Sequence, residues 1–82
     1  MHNVSNDLYN RGAAITPSDT VDETNVYDAI HVGGAGNIVV VWEDGTTATL
    51  TGCLAGHVYR YRGRRVNSTS TTATGLVGVR YQ

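Results

Sequence analysis

The clearest pattern in the chain is an apolar run, then a turn, then a regular alternation of threonine with apolar residues. Residues 38–42 are all β-branched or aromatic, the side chains that suit a packed, pleated surface. Asp44 and Gly45 follow as a dipeptide typical of tight turns, because both residues tolerate positive φ. Residues 46–51 then alternate with the period of a half-exposed strand. Residues 37–51 are therefore predicted to form a β-hairpin.

The first strand of this hairpin shows no alternation, so both of its faces are expected to be covered. One face would pack on the protein's own core, and a neighbouring subunit would cover the other. An 82-residue chain buries only about 60–65% of its unfolded surface, and such chains usually need disulfides, a metal or oligomerisation. Cys53 is the only cysteine, which excludes a disulfide within one chain. Oligomerisation is therefore the expected source of added stability.

Three further segments have the short, β-branched pattern of strands, at residues 26–32, 57–66 and 74–81. The glycine-rich residues 33–37 are typical of a tight turn, which would make residues 26–51 a three-stranded meander. No window shows apolar residues at helical spacing. The sequence predicts an all-β fold, a small antiparallel β-sandwich or barrel of about five to six strands.

Residues 1–25 are polar and show no sustained period, which predicts an extended N-terminal arm before a β domain at residues 26–82. Pro17 supports an extended conformation, because the residue before proline avoids the α region. Such an arm is either disordered or ordered against a partner, and its expected role is to attach to that partner. Deleting residues 1–20 should then spare the fold and abolish attachment to that partner.

Charge is segregated along the chain. Every acidic residue lies between Asp7 and Asp44, whereas five of the six basic residues, all arginines, lie between Arg60 and Arg80. Two halves of opposite charge suit a head-to-tail contact between copies, and they equally suit ion pairing within one monomer. The net charge of −1 gives no overall attraction to nucleic acid or membrane. We expect no membrane contact, because no segment approaches the ~20 apolar residues of a span, and the N-terminal residues lack the basic stretch and apolar run of a secretory signal.

No arrangement of residues typical of an enzyme or a metal site occurs in the sequence. Cys53 has no cysteine partner for zinc, and the three histidines have no zinc-site spacing. The glycines at residues 33–36 precede a strand, whereas phosphate-binding glycines open a helix. Glu43 and Asp44 flank a turn, where solvated carboxylates are ordinary. We expect no catalytic residue, no metal and no cofactor.

The strand at residues 57–66 is the best candidate for a contact surface, because two tyrosines share one face and three arginines share the other. Basic residues interleaved with aromatic ones can bind single-stranded nucleic acid, but the chain is not basic overall, so a subunit or capsid contact is favoured. A small binding module for host glycan or single-stranded nucleic acid is the alternative function. The predicted interface residues are Val39, Val41, Trp42, Tyr59, Arg60, Tyr61, Arg62, Arg64 and Arg65.

Several segments, taken in order, resemble the spike-base proteins of tailed phages and of phage-like gene transfer agents. They cover most of residues 14–79, and their fixed order and spacing carry the resemblance. This chain departs from the family pattern at Cys53-Leu54, at residues 57–59 and at its end. The matching segments are AITPSDT at 14–20, AIHVGGAGNIVV at 29–40, EDGTTAT at 43–49, AG at 55–56, RRV at 64–66 and TSTTATG at 69–75.

The resemblance implies a non-enzymatic virion protein that forms a symmetric base on the particle surface. We expect a homo-oligomer, a trimer or pentamer, located in the virion on the capsid or at the head–tail region. The expected partners are the major capsid protein or other virion proteins, with a spike fibre as a further partner. The residues themselves add a proposed division of labour, in which the arm attaches and the charged segments set the register between copies.

Overall fold

The computed structural model describes residues 11–23 and 26–81, which form strands and no helix. The strands are β1 (Arg11–Ala14), β2 (Tyr27–His31), β3 (Gly36–Trp42), β4 (Thr47–Cys53), β5 (Val58–Val66) and β6 (Val77–Arg80). All strand pairs are antiparallel, and the six strands form one sheet in the order β1-β6-β2-β5-β3-β4. The predicted small antiparallel all-β fold is confirmed. In these described ranges no helix is long and apolar enough to cross a bilayer.

The predicted hairpin is confirmed as β3 and β4. Its turn is closed by backbone hydrogen bonds from Gly45 N–H to the Trp42 carbonyl (2.9 Å) and from Trp42 N–H to the Thr46 carbonyl (2.7 Å). Gly45 has a φ of 94°, which suits glycine. The Asp44 carboxylate accepts hydrogen bonds from the backbone N–H and the hydroxyl of Thr46, which locks the turn.

The predicted meander of β2, β3 and β4 is wrong, because β5 lies between β2 and β3. The glycine segment that follows β2 is not a hairpin turn but a crossing held against the loop before β6. Gly34 N–H donates to the Thr74 carbonyl at 2.8 Å, and Gly33 N–H reaches the carbonyls of Thr74 and Gly75. A Cβ on Gly33 would lie 2.9 Å from the Gly75 carbonyl oxygen, so the close backbone contact requires glycine there.

The described part of the predicted arm is extended, as expected, and is held to the sheet. β1 pairs with β6, and the Ile15 side chain is buried in the core. Further along, Ser18 N–H donates to the Val66 carbonyl (2.8 Å) and Glu23 N–H to the Arg64 carbonyl (2.7 Å). This segment therefore continues the line of β2 along β5. Residues 1–10, 24 and 25 of the arm lie outside the described residues.

The core lies on one face of the sheet, and β3 is covered on both faces by its own chain. Ile38 and Val40 are fully buried in the main apolar cluster. Val39 and Val41, on the opposite face, are only 8% and 3% exposed. The expectation that a neighbour must cover this second face therefore loses its basis. Trp42 is half-buried at the edge of the cluster.

A β-bulge changes which β2 side chains face the core. Ile30 and Val32 share the core face as predicted, but Tyr27 joins them instead of lying opposite. The register of β2 against β5 shifts between Tyr27 and Ala29, which moves Tyr27 to the other face. Its ring then covers Gly78, where an added Cβ would lie 2.5 Å from the ring.

Candidate assembly surface

The predicted division of β5 into an aromatic and a basic face is present in the structure. Tyr61 is buried in the core and Tyr59 packs against it, while Arg60 and Arg62 are exposed. The alternation follows from the two-residue period of a strand. Base stacking on the tyrosines and phosphate contacts to the arginines would need opposite faces of the sheet. This arrangement therefore disfavours binding of one nucleic-acid strand by both sets of residues.

Arg62 joins three strands through two ion pairs. Its guanidinium contacts the Asp28 carboxylate of β2 at 2.6 Å and the Glu43 carboxylate after β3 at 3.1 Å. Arg64 donates to the Glu43 carbonyl at 2.8 Å. Of the two arrangements that the segregated charges allowed, pairing within one monomer is the one that these residues adopt. The Arg62 side chain is 61% exposed, so its ion pairs contribute little to stability.

Arg65 fastens the arm to β5. Its guanidinium contacts the Asp22 carboxylate at 2.7 Å and the Asn67 side-chain oxygen at 3.0 Å. The Arg65 side chain is only 23% exposed, so it is the most sheltered of the ion-paired arginines. Asp19 anchors the same segment to the loop before β6, since its carboxylate accepts hydrogen bonds from the Thr69 N–H and hydroxyl. Those bonds lower the pKa of Asp19.

Arg11 and Arg80 form a second cationic site that the sequence analysis did not single out. They are direct cross-strand partners in the β1–β6 pair, where like charges repel. Neither side chain makes an ion pair or hydrogen bond within the described ranges, in contrast to Arg62 and Arg65. We call these two residues the terminal arginine pair. Nothing in the sequence indicates this pairing, since the two arginines are distant along the chain.

Arg80 also lines a shallow depression of about 210 Å³ together with Val26, Asp28, Arg62 and Tyr81. Asp28 is already engaged there, because it accepts a hydrogen bond from Tyr81 N–H (3.1 Å) besides its contact with Arg62. Among the described residues that line this depression, Arg80 is therefore the charged side chain that makes no ion pair or hydrogen bond. An acidic side chain of a neighbouring molecule would fit its charge.

The other predicted interface residues differ in accessibility. Val39, Val41 and Tyr61 are buried within the chain itself. Trp42 meets Tyr61 edge to face, with ring centroids 5.6 Å apart, and Tyr59 accepts a hydrogen bond from Leu54 N–H at 2.8 Å. Arg60 and Arg62 remain exposed. A role of all these residues at an interface stays a prediction, and it is favoured for the exposed ones.

The cysteine and histidine side chains of the β4–β5 connection serve local structure. Cys53 is buried, its thiol donates to the Leu50 carbonyl, and burial raises its pKa. The His57 Nδ1 atom lies 3.2 Å from the Ala55 carbonyl oxygen, within hydrogen-bond distance, and the ring stacks on that of Tyr59. Across the described residues, no three His, Cys, Asp or Glu side chains are grouped in a way that could hold a metal ion.

Comparison with known proteins identifies the kind of molecule to which this sheet belongs. No family model matches the chain, and no curated protein matches it. A solved structure does match: a chain of the capsid of a native gene transfer agent particle, computed with C5 symmetry. It is 39% identical, the alignment covers 95% of this chain and 92% of that one, and the TM-score is 0.81. The chain therefore belongs to the family of phage-like virion proteins represented by this gene transfer agent capsid chain.

Proposed function

We propose that this protein is a non-enzymatic structural component of a phage-like particle. It acts as a spike base or decoration module on the capsid surface or at the head–tail region. The observation that carries this proposal is the 39% identity, over nearly the whole chain, to a chain of a gene transfer agent capsid. A likeness that spans both chains is what a shared assembly role requires, because most of the molecule would serve as scaffold and contact surface.

The proposed mechanism is mechanical. One sheet, held by antiparallel strand pairing and a buried apolar cluster, provides a rigid platform. The protein assembles as a trimer or pentamer, binds the major capsid protein or other virion proteins, and carries a spike fibre. The N-terminal arm attaches to a neighbour. The terminal arginine pair contacts acidic groups there, because neither arginine makes an ion pair or hydrogen bond with another residue of the described ranges 11–23 and 26–81.

The test uses particles from a producing host in which the gene is replaced by variants. Mass spectrometry of purified particles measures occupancy, and electron microscopy locates the protein on the surface. Reversing both terminal arginines, with Arg11→Glu and Arg80→Glu, should lower occupancy by roughly tenfold, because an attractive contact becomes repulsive. The matched control is the neutral pair Arg11→Gln and Arg80→Gln, which removes the attraction without adding repulsion and should lower occupancy less than the reversed pair.

The two parts of the proposal can fail separately. Absence of the wild-type protein from purified particles would overturn the structural role itself. Normal occupancy of the doubly reversed variant would leave that role standing and remove the terminal arginine pair from the attachment contact.

A further inference from the structure

The β4 edge of the sheet directs two sets of backbone groups outward. In the β3–β4 pair, Trp42 N–H donates to the Thr46 carbonyl, so these two residues are a hydrogen-bonded pair. The register against β3 is regular from Thr47 to Leu50, and along a regular antiparallel pair the hydrogen-bonded positions alternate. Thr47 and Thr49 therefore direct their N–H and C=O groups away from β3.

The β1 edge, at the other end of the sheet, directs the same number of groups outward. Ile15 N–H donates to the Leu76 carbonyl, and this pair continues the regular register of β1 against β6. By the same alternation, Gly12 and Ala14 direct their N–H and C=O groups away from β6. Two residues of β4 can therefore face two residues of β1.

Over these residues neither edge carries the usual protection against pairing with another strand. Natural edges are blunted by charged side chains, proline or bulges. Residues 12–14 and 47–50 contain no charge and no proline, and the register of each segment against its own neighbour is regular. The side chains at 12–14 and 47–49 are exposed. Both edges are therefore open to a further strand on the evidence of the described residues.

The directions of β1 and β4 decide what kind of assembly their pairing would build. All five strand pairs between β1 and β4 are antiparallel, so the chain direction reverses five times and these two edges run in opposite directions. Antiparallel addition of another copy's β1 to β4 therefore leaves that copy pointing the same way as the first. Such copies are related by rotation about an axis roughly along the strands, and the contact forms a ring where the rotation closes.

We propose that β4 of each copy pairs antiparallel with β1 of the next copy, head to tail around a ring. In the register that uses all four outward-directed residues, Thr47 lies opposite Ala14. Thr49 then lies opposite Gly12. Each of these two pairs exchanges two backbone hydrogen bonds, about four in all. The small side chains of β1 leave room for the branched threonines, and no like charges meet within the paired residues.

This contact rests on the proposed homo-oligomer and gives it a surface and a register, and both a trimer and a pentamer satisfy it. An interface of one short strand pair is small by the standard of stable complexes. In a closed ring each copy makes the contact twice, once through each edge. A covalent trap detects such a contact, and the Cys53→Ala background leaves no native thiol, because Cys53 is the only cysteine.

The first test measures disulfide formation in concentrated full-length protein, with Ala13→Cys and Ala48→Cys on separate chains. The proposed register places these residues opposite each other in a pair with Cα atoms about 4.5 Å apart, within disulfide reach. The mixture should therefore form the mixed dimer on the order of tenfold faster than either variant alone forms its own dimer. Equal rates would mean random collision and would overturn the proposal. Faster dimerisation of Ala48→Cys alone would show pairing of like edges and would overturn it too.

The second test places both cysteines on one chain. Head-to-tail disulfides should then give a ladder of covalent species that ends at a closed ring, which has no free thiol left to alkylate. The mass of that ring gives the number of copies, with three or five expected. A ladder that stops at two, or open chains that grow without a closed species, would overturn the ring.

A matched pair of variants tests the backbone contact itself. Thr49→Pro removes an N–H that points away from β3, so the fold should tolerate it, and urea denaturation checks that it does. Added to the Ala48→Cys chain, it should slow formation of the mixed dimer on the order of tenfold, whereas Thr49→Val keeps the N–H and should not. Equal slowing by both variants would overturn the proposed register. Occupancy of the wild-type protein in purified particles tests the structural role separately, so normal occupancy without preferential crosslinking would overturn this contact alone.

Discussion

Tyr61 combines tight packing with an unsatisfied polar group. Its ring covers Gly63, where an added Cβ would lie 1.9 Å from a ring carbon, so the aromatic ring occupies the space that a larger residue would need. The Tyr61 hydroxyl is buried and has no hydrogen-bond partner within the described residues. Such a group loses its hydration without compensation. The neighbouring Tyr59 shows the opposite case, since its hydroxyl accepts the Leu54 N–H.

Replacing each tyrosine by phenylalanine should therefore change stability in opposite directions. Tyr61→Phe removes a buried hydroxyl without a partner and should raise the free energy of unfolding, by up to about 1–3 kcal/mol. Tyr59→Phe removes a hydrogen-bond acceptor and should lower it by about 0.5–1.5 kcal/mol. Urea denaturation of both variants beside the wild type measures the two changes. A destabilised Tyr61→Phe would show that the hydroxyl makes a bond in solution.

The same hydroxyl should make stability fall at high pH. Burial raises the pKa of Tyr61 to about 12, from an ordinary value of 10.0. The folded chain thus holds this proton more tightly than the unfolded chain. The contribution is complete below pH 10 and is lost as the pH rises toward 12. Denaturation midpoints between pH 9 and 12 should therefore drop more for the wild type than for Tyr61→Phe, and parallel curves would contradict this assignment.

At the level of strands, the sequence pattern predicted those features that depend on residues close together in the chain. The hairpin at residues 37–51 and the two faces of β5 follow from side-chain alternation and turn chemistry, and both were predictable. The position of β5 between β2 and β3 was not, because the glycines at residues 33–36 suit a tight turn as well as a close crossing. What decides is their backbone contact with Thr74 and Gly75, some forty residues away.

The candidate assembly surface also has features that the sequence predicted and features that it did not. The exposed arginines of β5 were predicted from spacing, but their ion pairs with Asp28 and Glu43 depend on which strands become neighbours. The terminal arginine pair is created by the β1–β6 register, for which the sequence offers no local signal. The burial of Val39 and Val41 by their own chain was missed for a similar reason, because an apolar pattern shows that a face is covered without showing by what.

For the molecule as a whole, the segment before β2 connects β6 and β5, two strands that are not neighbours in the sheet. β1 pairs with β6, Ile15 fills the core, and Ser18 and Glu23 bond to the end of β5. β6 and β5 flank β2 on its two sides. The division of the chain into an arm at residues 1–25 and a domain at residues 26–82 stays a prediction. These contacts favour a β domain that includes residues 11–23.

Two truncations decide between the boundaries. Deleting residues 1–10 keeps every contact described above and should leave the free energy of unfolding within about 0.5 kcal/mol of the full chain. Deleting residues 1–20 removes β1 and the buried Ile15, and loss of a buried isoleucine alone costs about 2–5 kcal/mol. The longer deletion should therefore unfold a chain this small, in contrast to the expectation from sequence. Equal stability of both truncated proteins would show that residues 11–20 are an independent arm, and their loss would then be felt only in attachment to the particle.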